Sequence, residues 1–267
     1  MIPLFKTKER IYTTKDLIFT LQNLGIKKGD TLYIHSEIFN FGIPMVSLCD
    51  LQKNIIDCFF EVIGSEGTVL MPTFTYSFCN NKVYDKLNSK TKIGVLNEFF
   101  RKLPSVKRTN DPLFSFAVKG AKENLFLKET DSCFGENSVY DILTKIGGKI
   151  ILFGSRKLGI TYFHYIEEKT MVSYRHFKSF MGKIINEQGH EYNKKIDFFC
   201  RKLNENSITS TNILLNFLSQ NKNITIEKYA NSEIASIDIK KFYTTCFTKL
   251  LQNEKFFLDT QRGNYAE

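Results

Sequence analysis

The sequence lacks the short motifs that define several large enzyme classes. It contains no G-x-G-x-x-G and no G-x-x-x-x-G-K-S/T, which disfavours a Rossmann dinucleotide site and a P-loop. It has no H-E-x-x-H and no cluster of Asp, His and Cys at metal-ligand spacing, so neither a metalloprotease nor a metal site is expected. A G-x-S-x-G elbow is absent too, which weakens the case for an α/β-hydrolase.

Disulfide and membrane signals are missing as well. The six cysteines form no C-x-x-C pair, a pattern that favours reduced thiols in a cytosolic protein. No apolar run approaches the ~18 residues of a membrane span, and the first ten residues hold no apolar stretch of signal-peptide length. We therefore expect a cytoplasmic protein with no membrane partner.

The charge is unbalanced. With 37 Lys and Arg against 28 Asp and Glu, the net charge is +9, which favours anionic ligands in a general way. A solvated basic surface is the alternative, because the lysines are spread along the chain. No motif of a nucleic-acid-binding fold is present, so a nucleic-acid partner is not expected.

Hydrophobic periodicity predicts an α/β fold with a central, largely parallel sheet flanked by helices. In the first part of the chain helices alternate with strands, which is typical of parallel sheets. Beyond residue 174 the pattern is less regular and is interpreted as an α+β part. Helices are predicted at 13–24, 48–63, 94–102, 138–146, 208–218 and 237–251. Strands are predicted at 31–35, 68–71, 115–119, 149–153, 180–185 and 223–229.

The stretch that follows the strand 149–153 carries the strongest chemical signal. Gly154 ends the strand, and Thr161 is the predicted N-cap of the next helix. Residues three apart share a helix face, so His164 and Glu167 can touch. An imidazole oriented by a carboxylate at the carboxyl end of a strand suits general base catalysis. A solvent-facing pair, worth a few tenths of a kcal/mol, is the alternative.

Other histidines and acids are weaker signals. Glu168 points ~100° away from the imidazole on a helix, so Glu167 is preferred as its partner. His35 and Ser36 follow a strand directly, where side chains and amides can face a ligand; a satisfied turn histidine is the alternative. His176 and His190 have no carboxylate at helical spacing and are interpreted as structural or surface residues.

Taken together, these stretches resemble the aminoglycoside 3-N-acetyltransferase (antibiotic N-acetyltransferase) family. The resemblance runs in family order over nearly the full chain. Its most specific blocks are GTVLMPTFT and TYFHYIEE. The matching segments are 29–36, 64–75, 93–101, 108–112 with Ser115, 134–138, 149–167 and 172–175.

The resemblance implies an acetyl-CoA-dependent N-acetyltransferase that acts on a sugar amine and uses no metal. His164 would be the general base and Glu167 would orient it. No cysteine or serine stands where a covalent acyl intermediate would need it, so direct transfer is expected. Thr75 or a neighbour is the predicted oxyanion donor. The CoA wall would comprise His35, Ser36, Glu37, Thr73, Phe74, Thr75 and Ser115.

Two positions depart from the family pattern. Asp111 stands where the family usually has a histidine, which puts the acceptor or CoA contacts there in doubt. Ser173 replaces a proline before the Tyr-Arg pair, a change that concerns the backbone.

The charge balance guides the prediction of the acceptor. Aminoglycosides are polycations and call for carboxylates, whereas the region after Tyr174 is rich in lysine. We therefore expect a nucleotide-linked (dTDP- or UDP-) amino sugar for surface polysaccharide synthesis. Arg175 or nearby lysines would meet the pyrophosphate, Tyr76 or Tyr162 would lie against the sugar or base, and Asp111 is a further predicted contact.

Three alternatives remain open at this point. They are an aminoglycoside acetyltransferase, a non-catalytic CoA- or nucleotide-binding module, and a basic nucleic-acid-binding protein. The expected organisation is a single domain, 1–267. Residues 1–170 form its CoA-binding and catalytic core, and residues 171–267 form an acceptor-side subregion. A homodimer is expected because symmetric dimers are the commonest assembly.

Overall fold

The structure is a computed structural model that describes residues 1–156 and 160–259. Residues 157–159, which belong to the segment singled out in the sequence, and residues 260–267 of the predicted domain lie outside the described residues. The helices are α1 (Thr14–Asn23), α2 (Leu48–Ile63), α3 (Val95–Phe100), α4 (Val139–Ile146), α5 (Tyr162–Thr170), α6 (Thr211–Gln220) and α7 (Ile239–Gln252).

Thirteen strands are found in the described part of the chain. They are β1 (Pro3–Lys6), β2 (Ile11–Thr13), β3 (Thr31–Ser36), β4 (Ile43–Pro44), β5 (Thr68–Pro72), β6 (Tyr84–Asp85), β7 (Lys107–Arg108), β8 (Phe116–Gly120), β9 (Lys149–Phe153), β10 (Arg175–Ile185), β11 (Glu191–Arg201), β12 (Ile224–Tyr229) and β13 (Ser232–Asp238).

The main sheet has the order β12-β13-β9-β3-β5-β8-β7. Its three central strands, β9, β3 and β5, are parallel, whereas β13 and β8 join them antiparallel. The expected α/β fold with helices flanking a sheet is confirmed, and its parallel part is the centre. The sheet draws strands from both sides of residue 170, because β13 pairs directly with β9.

Alternation along the central strands divides the apolar residues between two cores. In β3, Leu32 and Ile34 pack with residues of α1 and α2, whereas Tyr33 packs with α4 and α5 on the opposite face. Successive side chains of a strand point to opposite faces. His35 therefore lies on the same face as Tyr33, with ring centroids 4.6 Å apart, and this is the face that carries α5.

Local contacts set the ends of helices α1 and α2. Thr13 and Asp16 form a capping box at the start of α1, and the Ser47 side chain caps α2. Gly64 ends α2 with φ of +66°, a conformation that side chains with a Cβ rarely adopt. These local contacts explain why the helix bounds predicted at 13–24 and 48–63 are close to those observed.

The largest difference from the sequence prediction is a long hairpin. β10 begins at Arg175 rather than at residue 180, and it pairs with β11 along eleven residues, from Arg175 opposite Arg201 to Ile185 opposite Glu191. The turn of this hairpin lies between Ile185 and Glu191 and includes Gln188 and Gly189. β11 was not predicted, because its polar outer positions interrupt the apolar alternation. Within residues 1–156 and 160–259, no helix is long and apolar enough to cross a membrane.

Candidate active site

The start of α5 places the predicted base at the wall of a groove. Thr161 is the N-cap residue of the helix, as predicted, but its side chain makes no capping bond. The first turn is held by packing instead, since Tyr162 and Phe163 are buried in the core. Thr161 and His164 both line the groove.

His164 and Glu167 form the contact that their helical spacing predicts. His164 Nδ1 lies 2.6 Å from Glu167 Oε2. The Glu167 side chain is 0% exposed, whereas the His164 side chain is 31% exposed. A carboxylate this close assigns the Nδ1 proton to the Glu167 contact, so Nε2 is the nitrogen that can accept a proton. Glu168 turns elsewhere and accepts from Ser132 Oγ at 3.1 Å.

Three further groups hold the Glu167 carboxylate. Tyr174 Oη donates to Oε1 at 2.9 Å, and Thr209 Oγ1 donates to the same oxygen at 3.3 Å. Arg175 Nε lies 2.9 Å from Oε2 as an ion pair. Burial alone would raise the pKa of Glu167, but the neighbouring His164 and Arg175, together with the hydrogen bond from Tyr174, outweigh burial and lower that pKa. Glu167 is therefore a carboxylate at neutral pH.

The same neighbours set the charge of the imidazole. Burial is the largest effect on the pKa of His164 and lowers it. The Arg175 guanidinium lowers that pKa further, and Glu167 opposes both. Because 31% of the side chain is exposed, water in the groove moderates this lowering. The result is an imidazole that is unprotonated at neutral pH, as a general base must be.

The Arg175 side chain is buried against protein groups, a placement that the sequence analysis did not predict. Its side chain is only 4% exposed, and its Nη1 donates to the backbone oxygen of Phe199 at 3.1 Å. Its Nη2 lies 2.9 Å from His164 Nδ1. The guanidinium is therefore held largely by protein groups, and its predicted contact with a pyrophosphate stays a prediction.

Beside His164 lies a groove of about 790 Å³ that joins α5, the β10–β11 hairpin and the segment before α6. Its aromatic lining includes Tyr76, a half-buried residue that was predicted to contact the acceptor. Every charged side chain among its described lining residues is basic. The lining residues are Tyr76, Phe114, Thr161, His164, Arg175, His176, Lys178, Phe180, Phe198, Cys200, Arg201, Leu203, Ser207, Ile208 and Thr209.

Two other predicted acceptor contacts are placed away from this groove. Tyr162 is 0% exposed, and its hydroxyl bonds Thr144 Oγ1 at 2.6 Å. Asp111 is buried, and its Oδ1 accepts from the backbone amides of Leu113 and Phe114 at 2.7 and 2.9 Å. Tyr162 is a core residue, and Asp111 orders the turn that carries Phe114. Both predictions are corrected because the side chains of Tyr162 and Asp111 point into the protein interior rather than into the groove.

The predicted CoA wall is partly a supporting layer. Thr73 and Ser115 are fully buried, and their hydroxyls bond each other at 3.2 Å. Arg108, which the sequence analysis missed as a site residue, donates to the Thr73 backbone oxygen at 2.7 Å. The Thr75 hydroxyl donates to Pro112 O at 2.8 Å, so it does not serve as the predicted oxyanion donor. These groups shape the wall from behind.

The rest of that wall lies at the carboxyl end of β3. Burial lowers the pKa of His35 to about 4, and its Nε2 has no hydrogen-bond partner among the described residues. Ser36 Oγ donates to Asn97 Oδ1 at 3.0 Å. Glu37 is exposed, and its amide donates to Phe153 O. Phe74 is buried against Phe114. His35 is thus the wall residue with unused polar capacity.

Tyr174 and Thr209 both contact Glu167, and sequence reasoning assigned neither to the site. Tyr174 belongs to the segment 172–175 that carried part of the family resemblance, which was the one available signal. Thr209 lies 42 positions from Glu167, and no local pattern connects them. A search of residues 1–156 and 160–259 finds no group of three or more His, Cys, Asp or Glu side chains placed to hold a metal ion.

The fold and the site define an α/β protein with a histidine held by a buried carboxylate at the edge of its sheet. Comparison with known families then gives a specific assignment. The Aminoglycoside 3-N-acetyltransferase family profile matches residues 34–250. The chain belongs to this family, which confirms the resemblance found in the sequence.

Curated relatives agree with the family assignment. The chain is 27% identical over 179 residues to the SPbeta prophage-derived aminoglycoside N(3')-acetyltransferase-like protein YokD of Bacillus subtilis (strain 168), covering 58% of this chain and 64% of that protein. It is 22% identical over 181 residues to aminoglycoside N(3)-acetyltransferase III of Salmonella sp, covering 59% and 60%. The matched part therefore spans less than two thirds of these relatives.

Solved structures show the same fold at greater coverage. Aminoglycoside acetyltransferase AAC(3)-Xa matches with a TM-score of 0.78 at 17% identity, over 90% of this chain and 93% of that one. AAC-IIIb, determined as a binary complex with CoASH, matches with a TM-score of 0.76 at 20% identity, over 90% and 97%. At these identities the likeness establishes the fold.

Proposed function

We propose that this protein is an N-acetyltransferase that moves the acetyl group of acetyl-CoA to an amino group of an amino sugar. The observation that carries the proposal is the buried Glu167 holding His164 at 2.6 Å at the wall of the groove. Membership of the Aminoglycoside 3-N-acetyltransferase family supports it. A non-catalytic binding module has no need for a buried carboxylate that fixes an imidazole.

In the proposed reaction, His164 handles the proton. Acetyl-CoA supplies the acetyl group as an activated thioester. Glu167 keeps the Nδ1 proton in place, which leaves His164 Nε2 free to accept a proton. Nε2 removes a proton from the acceptor amine while the amine nitrogen forms a bond to the acetyl carbon. His164 then returns this proton to the departing sulfur. The products are the N-acetyl sugar and the free CoA thiol, and the imidazole ends uncharged as it began.

Features at the end of β3 support the binding of an acyl donor there. His35 Nε2 is buried without a partner among the described residues, and buried polar groups are normally hydrogen-bonded. A thioester or amide oxygen of pantetheine can accept from this nitrogen in the tautomer that protonates it. Burial keeps His35 uncharged, so it would bind as a neutral donor. His35, Ser36 and Glu37 are the chain's own residues proposed to face the donor.

Relatives favour an aminoglycoside as the acceptor. The curated relatives are named aminoglycoside acetyltransferases, and one structural neighbour, AAC-VIa, was determined bound to sisomicin. This supports the antibiotic alternative over a nucleotide-linked sugar. One observation on this chain favours the second candidate: the exposed charged side chains of the groove, Lys178 and Arg201, are basic, which suits phosphate better than a polycation.

The acceptor is tested by following release of the CoA thiol from acetyl-CoA. The panel holds kanamycin and gentamicin on one side and dTDP- and UDP-linked amino sugars on the other. We expect turnover with the aminoglycosides, as the relatives suggest. Turnover with the nucleotide sugars alone would replace the acceptor assignment. No thiol release with any amine, from protein that binds acetyl-CoA, would contradict the acetyltransferase proposal.

A further inference from the structure

Arg175 and His164 converge on a single oxygen of Glu167. His164 Nδ1 lies 2.6 Å and Arg175 Nε 2.9 Å from Oε2. The guanidinium and the imidazole also approach each other, because Arg175 Nη2 is 2.9 Å from His164 Nδ1. The carboxylate, the guanidinium and the imidazole thus form a closed triangle of contacts in the wall of the groove.

The guanidinium is fixed in this position. Its side chain is almost fully buried, and Nη1 donates to Phe199 O on the neighbouring strand β11 at 3.1 Å. The other carboxylate oxygen, Oε1, is held separately by Tyr174 and Thr209. Since each oxygen has its own partners, neither Glu167 nor Arg175 can rotate without leaving buried polar atoms unpaired, which is costly.

This arrangement has a defined electrostatic effect. A lone buried carboxylate favours the protonated form of a neighbouring imidazole, because opposite charges attract. Arg175 already balances the negative charge of Glu167, and it stands within hydrogen-bond distance of the nitrogen whose ring would become cationic. A second positive charge on His164 therefore meets repulsion rather than an unpaired anion.

We propose that Arg175 is a positioning residue for the reaction described above, which holds Glu167 and keeps His164 uncharged between turnovers. The proposal rests on the proposed function for its catalytic meaning, but its electrostatic content concerns the free protein. The role differs from binding the acceptor, because the guanidinium contacts Glu167 and Phe199 O and only 4% of the side chain is exposed.

Other groups around His164 do not replace Arg175. The Phe134 ring meets the imidazole edge-on at 5.9 Å between centroids, and Tyr76 and Thr161 line the groove beside it. Glu168, also on α5, is bonded to Ser132. From the hairpin, His176, Lys178, Cys200 and Arg201 line the same groove, but the charged neighbours that shift the pKa of His164 are Arg175 and Glu167. Among the described residues only one carboxylate, that of Glu167, contacts the ring.

The direction of the pKa of His164 agrees with this geometry. Burial lowers the pKa first, Arg175 second, and Glu167 only partly reverses them. The His164 imidazole is uncharged above its folded-state pKa. Activity that needs the uncharged imidazole is therefore lost as the pH falls through that pKa. We expect the acidic limb of kcat/KM to lie below the ordinary imidazole value of about 6.5.

The test is an NMR titration of the histidine ring protons in the free protein, with the His164 signal assigned by its loss in His164→Gln. In Arg175→Met we expect the titration midpoint of His164 to rise by about one pH unit or more, because the remaining carboxylate then favours the imidazolium. Arg175→Lys, which keeps the charge, should recover at least part of the shift. Arg201→Met, which removes an exposed cation of the same groove, should shift it far less.

A kinetic measurement gives the second readout. In Arg175→Met the acidic limb of kcat/KM should move upward with the NMR midpoint, so that activity lost near neutral pH returns at higher pH. A residue that only stabilises the fold would lower activity equally at every pH. Absence of acetyl transfer by the wild-type protein would count against the proposed function alone and would leave the titration result intact.

An unchanged His164 midpoint in folded Arg175→Met would overturn the proposal. If that variant does not fold, the same comparison is made in protein that lacks the Glu167 carboxylate. Glu167→Gln is compared with Glu167→Gln/Arg175→Met, in which no carboxylate is left unpaired. The midpoint must again be higher when the guanidinium is absent, and equal midpoints in this pair contradict the role of Arg175.

Discussion

Replacing His164 with alanine is expected to lower the kcat of acetyl transfer by about 10²–10⁴-fold, the usual contribution of a positioned general base. The reason is that no other described side chain beside the groove combines a free imidazole nitrogen with a carboxylate that fixes its tautomer. The measurement is thiol release from acetyl-CoA at saturating acceptor. The KM values should change little, because the imidazole acts on the proton rather than on the bulk of either substrate.

His190→Ala is the matched control for this experiment. His190 lies exposed at the turn of the β10–β11 hairpin, away from Glu167, so its loss should leave kcat unchanged. Near-equal rates for His164→Ala and the wild-type protein would remove the mechanism. Restored activity of His164→Ala at high pH would still be compatible with it, because the amine then loses its proton to solvent.

Replacing Tyr162 with alanine is expected to destabilise the protein by about 3–5 kcal/mol, the range for deleting a large aromatic ring from a core. The ring is fully buried and packs against Tyr165 and Phe242 with centroids 5.7 and 5.3 Å away. Tyr162→Phe removes only the hydroxyl bonded to Thr144 and should cost about 1 kcal/mol. Urea unfolding followed by circular dichroism measures both.

Tyr76→Ala provides the contrast with Tyr162. Tyr76 is half-buried and lines the groove. Its loss should therefore raise the KM for the acceptor, and it should lower the free energy of unfolding less than Tyr162→Ala does. Should Tyr162→Phe instead raise the acceptor KM with unchanged stability, Tyr162 would be an acceptor contact, and its placement in the core would be wrong.

The catalytic pair was within reach of sequence reasoning because it is local. His164 and Glu167 are three residues apart on one helix, and the geometry of a helix alone brings them together. The ends of α1 and α2 were accessible for the same reason, since their caps are set by adjacent residues. Thr161 shows the limit of this reasoning: it occupies the N-cap position, but packing of its neighbours rather than a side-chain bond fixes the first turn.

The burial of polar side chains was the property that sequence reasoning predicted least well. Asp111, Tyr162 and Arg175 all have side chains that suit ligand binding, and each was assigned to the acceptor. In the fold each has protein partners: backbone amides for Asp111, Thr144 for Tyr162, and Glu167 with Phe199 O for Arg175. Tertiary contacts decide which polar groups form hydrogen bonds within the protein. Hydrophobic periodicity does not encode those contacts.

The sequence by itself determined the alternation of helices and strands, the family, and the imidazole–carboxylate pair, because these follow from spacings of a few residues. Tertiary structure decided how that pair is charged and held. Arg175 reaches Glu167 only because β10 begins directly after α5, and Thr209 reaches it from 42 positions away. Electrostatic interactions act through space, so the charge state of a buried base is fixed by neighbours that folding alone assembles.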